Sequence, residues 1–271
     1  MLRGLINRIE RQLWARRSHR FVIRNWSQLP SIATLGDVLS SMRAARDVMP
    51  ILQEVPGGKR ILVIAPHPDD EMIGPGGTII GAIEAGSKVH VVYLTSGSKQ
   101  PDGAQTREAE ALAAAGKVGY TTEFLRLADL SDGATSTALT ALANAITTFD
   151  PELLFVTFFA DDHIEHQRAS ELLIRASDRG LVDGGLETWA YQVYSALVAN
   201  VIVDVTPFLE RKLEAISIFA SQMESRNWVH FASGLTAYNS RFLPGNATRY
   251  GEVFHVARLR DYSDISRPYF D

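Results

Sequence analysis

The chain of 271 residues contains no cysteine. That excludes a disulfide framework, a thiolate nucleophile and any cysteine-ligated zinc or iron–sulfur centre. A bound metal would have to be held by His, Asp and Glu. No apolar run approaches the roughly 20 residues that cross a bilayer. Arginines interrupt every apolar stretch near the N-terminus, which argues against a secretory signal. Internal repeats and low-complexity segments are also missing. Hydrophobic residues make up 46% and charged residues 21%, a balance that excludes intrinsic disorder. The length suffices for one large α/β domain or two small ones.

The formal net charge of −4 is unevenly divided. Residues 1–24 carry seven arginines against one acid, Glu10, or +6; the remainder, with 20 basic and 30 acidic side chains, carries −10. In the basic head Leu2, Leu5, Ile6, Ile9 and Leu13 recur at helical spacing, with Arg3, Arg8 and Arg11 on the opposite face and Trp14 near the edge. Three readings fit: a helix on an anionic membrane, an organellar presequence, or a basic helix packed on the body or on a second copy of the chain.

Residues 25–58 read as a connector with one helix, about 35–53, ended by Pro56-Gly57-Gly58. The domain proper is expected over 59–271. Arg60–Ala65 is a continuous apolar run, as in a parallel strand buried on both faces. Further strands are predicted at 88–95, 123–127, 153–158, 188–195 and 200–205. Helices are predicted near 77–86, 106–118, 137–148, 166–178 and from Pro207 to about Ser221. The alternation predicts a Rossmann-like, doubly wound α/β fold: a mostly parallel sheet with helices on both faces, plus the N-terminal helical extension. The last fifty residues, with Trp228, His230, Tyr238, Phe242 and Tyr250 among Gly and Asn, read as irregular structure able to wall a pocket.

In open α/β sheets ligands bind beyond the carboxyl ends of the strands. Two such ends carry clusters: Pro66-His67-Pro68-Asp69-Asp70-Glu71 after the first core strand, and Asp161-Asp162-His163-Ile164-Glu165-His166 after the fourth. His67 and Asp70 can face one ion across a single turn, leaving Asp69 to act on a water. The plainer reading makes this a turn whose Asp caps the next helix. Two consecutive acids after His-Pro, at the end of a buried strand, weigh against it. His163 and His166 alone would fit surface or capping roles. They gain weight because these two strand ends should lie side by side. A His-Asp-His set with one open position is the arrangement of a catalytic metal site.

With these residues in hand, the chain resembles the LmbE/PIG-L family of metal-dependent N-acetylglucosamine deacetylases. PHPDDE (66–71) and HIEH (163–166) carry the resemblance. Arg107 with Glu110, Lys212 through Ser221-Gln222, and Glu252-Val-Phe254 support it. It implies that His67, Asp70 and His166 bind a divalent metal, usually Zn2+, with Fe2+ as another candidate. It implies that Asp69 is the general base activating a metal-bound water. His163 would be an imidazolium that stabilises the oxyanion and protonates the leaving amine, and Arg107 and Asp132 would hold the sugar. The implied partner is an acetylated amino-sugar conjugate, not nucleic acid. The basic head adds the expectation of a cytoplasmic protein at a membrane surface, on a lipid-linked substrate. Two positions depart from the family pattern. Glu165 replaces the Asp expected to tune His163, and Asp161 stands where some members have a tyrosine.

The competing readings rest on less. Gly74-Pro75-Gly76-Gly77 lacks the Gly-Lys-Ser/Thr of a phosphate loop and the dinucleotide fingerprint. It reads instead as a turn bringing a helix close to the sheet. Ser96 lacks a nucleophile elbow and reads as a turn residue near the pocket. A related amidase acting on larger amides, and a glycan-binding module that retains a metal, are the alternatives; intact Asp69 and His163 argue against the second.

Overall fold

The computed structural model describes residues 49–98, 100–127, 130 and 134–270. The basic head (1–24), most of the helix expected over 35–53, and Asp132 lie outside them. Eight strands, β1 (Ile51–Gln53), β2 (Arg60–Ala65), β3 (Lys88–Tyr93), β4 (Thr121–Phe124), β5 (Leu153–Thr157), β6 (Glu187–Tyr191), β7 (Val201–Asp204) and β8 (Gly251–Arg258), form one sheet in the order β1-β7-β8-β6-β5-β2-β3-β4. β8 runs antiparallel to both neighbours, β6 and β7; the other pairings are parallel. The helices are α1 (Asp70–Ile73), α2 (Gly76–Glu84), α3 (Pro101–Val118), α4 (Ser136–Phe149), α5 (Ile164–Asp178), α6 (Leu209–Ser217), α7 (Ala220–Met223), α8 (Trp228–Asn239) and α9 (Leu259–Phe270).

Strand β2 shows why both faces are covered. Ile61, Val63 and Ala65 join one apolar cluster with Met72, Ile79, Ala111, Ala114, Ile216 and Ala232. The alternate residues Leu62 and Ile64 join another with Leu139, Leu142, Leu172 and Tyr262. Because successive side chains of a strand point to opposite faces, an unbroken apolar run demands helices on each side. α1, α2, α3, α6 and α8 supply one layer, and α4, α5 and α9 the other.

The structure corrects the sequence reading in three places. The compact unit spans Pro50–Asp271, so it begins ahead of the expected boundary at 59. Its first strand, β1, lies within the span expected to be helical and pairs with β7, Ile51 beside Val201. The C-terminal stretch is regular, not irregular. Asn227 caps α8 by accepting the His230 N–H at 3.0 Å, β8 is inserted between β6 and β7, and the buried Tyr262 hydroxyl ties α9 to the Phe159 N–H at 3.0 Å. The helix expected over 207–221 starts with a 3-10 turn at Thr206–Phe208, and a break separates α6 from α7. No helix among the described residues is long and apolar enough to cross a membrane.

Candidate active site

The chain leaves β2 towards β3 on one side and later returns to β5 on the other. The carboxyl ends of β2 and β5 are therefore neighbours, with Ile64 beside Val156, at the reversal of strand order where such sheets form a crevice. Residues 66–71 and 161–166 meet there.

Asp69 sits at φ 118°, ψ −29°, in the left-handed region that non-glycine residues rarely occupy. Such strain costs about 1–3 kcal/mol and persists only where the surroundings over-determine it. Here they do. The Asp69 N–H donates to Glu71 Oε2 at 3.0 Å, and Glu71 Oε1 in turn accepts the Tyr120 hydroxyl at 2.9 Å. Arg107 Nη2 donates to the Pro68 carbonyl at 2.6 Å and lies 3.3 Å from Asp69 Oδ1. Arg107 Nη1 donates to the Gly97 carbonyl at 2.8 Å. Gly97 has φ +68°, and a Cβ on it would lie 2.4 Å from that Nη1, so only glycine lets the guanidinium settle. Arg107 was expected to hold the sugar; its two terminal nitrogens bond the Gly97 and Pro68 carbonyls, while its buried Nε has no hydrogen-bond partner.

The three expected ligands and His163 converge. Ring nitrogens of His67, His163 and His166 lie within 4.8 Å of one another. His67 Nδ1 is 3.1 Å from Asp70 Oδ2, and His166 Nε2 is 3.3 Å from Asp70 Oδ1. Both Asp70 Oδ1 and His166 Nε2 are buried with no hydrogen-bond partner. Buried polar atoms are normally satisfied, so two such atoms facing one another beside an imidazole fit the donor set of a divalent cation. Their chemistry, neutral imidazole plus carboxylate, suits zinc or iron.

The electrostatics follow from this crowding. Burial, reinforced by the neighbouring Asp70 carboxylate and opposed by Arg107, pushes Asp69 up to about 8. Burial works against the Asp70 carboxylate too, but His166 and His67 overcome it and hold Asp70 well below the usual range. Burial would also lower both imidazoles. Hydrogen bonds donated to Asp70 and Glu165 nevertheless raise His67 to about 8, and Asp70 and Asp161 raise His166 to about 10. His163 goes the other way, lowered by burial and by the charges of His166 and His67. Its Nδ1 accepts the Glu165 N–H at 3.3 Å, so the neutral ring carries its proton on Nε2.

Several participants were not singled out from the sequence. Asp161, noted only as replacing a tyrosine, places Oδ1 3.1 Å from His166 Nδ1. Glu165, expected to tune His163, contacts His67 Nε2. The Tyr194 ring stacks on His166 at 5.0 Å, from a segment expected to remain in a strand. Two clefts flank the cluster. A polar one of about 840 Å³ is lined by Ser96, Ser98, Gln105, Glu108, Arg126 and Glu165. The other, about 430 Å³, is lined by Tyr194, Arg226, His230, Phe231 and Leu235. Ser96 is thus a lining residue, as expected, its hydroxyl donating to Glu108 at 2.5 Å.

The remaining motifs are braces. Lys212 and Glu252 form a buried ion pair at 2.7 Å. Glu252 also accepts the N–H groups of Gly77 and Thr78 at 2.7 and 2.8 Å. The amino end of α2 therefore already holds an anion, which disposes of a phosphate there. A Cβ on Gly77 would lie 2.7 Å from Val205, which is the close approach expected of this glycine turn. Glu110 accepts the Ser221 N–H and hydroxyl at 2.8 and 2.7 Å, joining α3 to α7.

A doubly wound α/β sheet with a carboxylate–histidine cluster at its switch point defines a class of site suited to metal-assisted chemistry. Residues 62–177 match the family model described as PIG-L, GlcNAc-PI de-N-acetylase. Two solved structures share the fold at a TM-score of 0.63 and 25% identity. The conserved protein TT1542 from Thermus thermophilus is matched over 72% of this chain and 93% of its own. The N,N'-diacetylchitobiose deacetylase from Pyrococcus horikoshii is matched over 75% and 85%. A glucosamine-6-phosphate deaminase-like protein of Bacteroides thetaiotaomicron is 46% identical over 43 residues, 16% of this chain and only 6% of that protein.

Proposed function

We propose that the chain is a metal-dependent hydrolase that removes the N-acetyl group from an N-acetylglucosamine-type conjugate. The observation that carries this reading is the buried pair Asp70 Oδ1 and His166 Nε2, 3.3 Å apart, without a hydrogen bond and with no other partner, converging beside His67. The PIG-L match and the likeness to a diacetylchitobiose deacetylase support the substrate class. His67, Asp70 and His166 would hold the ion, with Zn2+ the first candidate. Such an ion, when bound, supplies Lewis acidity, polarising the acetyl carbonyl and making a water nucleophilic near pH 7.

The chain's own side chains supply the rest. Asp69 in its carboxylate form takes the proton as the water oxygen bonds to the carbonyl carbon; burial pushes it up to about 8 in the ion-free protein, so that form is favoured by rising pH and by a cation held beside it. His163 donates its Nε2–H to the oxygen that gathers negative charge. Asp69 then returns the proton to nitrogen as the C–N bond breaks, leaving acetate and a free amine. Arg107 keeps the Asp69 carboxylate aimed. The polar cleft offers hydroxyl, amide and charged groups for a sugar.

The test is acetate release from a panel including N,N'-diacetylchitobiose, before and after chelation, alongside the metal content of the protein. Chelation should abolish turnover and metal return should restore it. Metal without turnover on any acetylated sugar would favour a binding module, whereas faster release of longer acyl groups would favour the broader amidase.

Protons and metal should compete for the site. The raised values of His67 and His166 mean that both rings hold a proton at pH 7 in the metal-free protein. Binding must expel those protons, so affinity should rise with pH, by roughly tenfold per pH unit for each proton displaced. Zinc titration calorimetry in buffers of different ionisation enthalpy should report up to two protons released per ion at pH 7; release of none contradicts the electrostatic account.

The lipid-linked substrate rests on residues 1–24, whose apolar stripe and seven arginines suit an anionic surface. A chain lacking 1–24 should leave phosphatidylserine-containing vesicles while keeping activity on a soluble sugar. Failure of the full chain to bind such vesicles refutes this part.

A further inference from the structure

An imidazole that ligates through one nitrogen must have the other fixed as a donor, and a carboxylate, which only accepts, does this. Both candidate histidine ligands have such a partner, each on the nitrogen turned away from Asp70. Asp161 Oδ1 lies 3.1 Å from His166 Nδ1, and Glu165 Oε2 contacts His67 Nε2. Asp161 is itself immobilised: Oδ1 accepts the His163 N–H at 3.1 Å, and Oδ2 accepts the N–H groups of Tyr194 and Ser195 at 3.0 and 3.3 Å. At 2% exposure it has no freedom to swing away.

We propose that Asp161 and Glu165 are positioning residues that fix opposite tautomers of the two histidine ligands. His166 thereby presents the lone pair of Nε2, and His67 that of Nδ1, to the point that Asp70 also faces. This rests on the metal-site reading above but assigns residues that reading does not use. The length of residue 165 is what matters. Its backbone N–H is tied to His163 Nδ1, while its carboxylate must cross from the amino end of α5 to a ring in the loop after β2. The glutamate arm makes that crossing; an aspartate, one methylene shorter, is expected to fall short.

Zinc affinity of the full-length chain, measured by competition with a chromophoric chelator, tests this independently of turnover. Orienting partners of this kind are worth about 10–100-fold in metal affinity. Glu165→Ala should lose that much, and Glu165→Asp should lose as much, although it keeps the charge. Glu165→Gln, which can still accept the His67 Nε2–H, should lose less than either. Asp161→Asn should weaken zinc independently of the 165 series. Circular dichroism and melting temperature identify any variant that fails to fold, and the remaining members of the series then decide. Wild-type affinity in Glu165→Asp overturns the proposal, because charge alone would then be sufficient; so does an unchanged Glu165→Ala. Failure of the wild-type chain to bind any divalent ion sinks the metal-site reading instead, so the two failures are distinguishable.

Discussion

Asp69→Asn is expected to lower acetate release by about 10²–10⁴-fold, the usual contribution of a positioned proton acceptor, while metal content stays at the wild-type level. Asparagine is the informative replacement because it tolerates the left-handed backbone that Asp69 adopts. Its side chain also offers an oxygen towards Arg107 in place of the one now 3.3 Å away. Shape, backbone and neighbours are thus kept and the ability to take up a proton is removed. The rate loss should fall on kcat, with KM little changed, since the carboxylate is assigned to proton transfer and not to holding the sugar. Turnover near that of the wild type would remove Asp69 from the mechanism. Loss of metal together with activity would instead make it a ligand.

The second large effect concerns stability. Lys212 is fully buried, and its ammonium bonds both to Glu252 at 2.7 Å and to the Gly74 carbonyl at 2.9 Å. Removing one partner of a buried pair leaves an uncompensated charge and costs about 3–5 kcal/mol. Lys212→Met should therefore lower the melting temperature by on the order of 10 °C in a chain of this size. The effect should reach the site, because the same lysine pins the Gly74 turn that follows the loop of His67, Asp69 and Asp70. Adding Glu252→Gln should recover part of the lost stability by removing the stranded charge, although the amide has one oxygen where the Gly77 and Thr78 N–H groups now use two. A melting temperature unchanged in the single variant would show that the pair is dispensable.

The centre of the fold was legible because its signals are local. The runs at 60–65, 88–93 and 153–157 are apolar throughout or nearly so, and each is followed by a helix. The ligand-type residues stood out for the same reason, clustered where such strands end. What was not legible depends on partners distant in the chain. β1 has three residues, too few for a period, and exists because β7 lies alongside. β8 and its flanking helices were hidden by aromatic residues that read as pocket walls; Phe254 in fact packs against Phe155 and Trp189 in the core. Nothing local to Arg107 shows that two of its guanidinium nitrogens bond the Pro68 and Gly97 carbonyls. Asp161 looked like a missing tyrosine because its bonds to residues 194 and 195 come from the far side of the crevice.

The grip of Glu252 on the amino end of α2 also bears on how the site comes into being. The histidine–aspartate loop leaves the ribosome early, yet the bonds fixing the helix behind it reach 175 and 174 residues along the chain. Until β8 is synthesised and slips between β6 and β7, the amides of Gly77 and Thr78 lack that acceptor, and the Lys212 ammonium lacks its counterion. A nascent chain thus carries all three candidate ligands well before it can hold them in place. Assembly of the centre therefore waits on β8, the strand that carries Glu252.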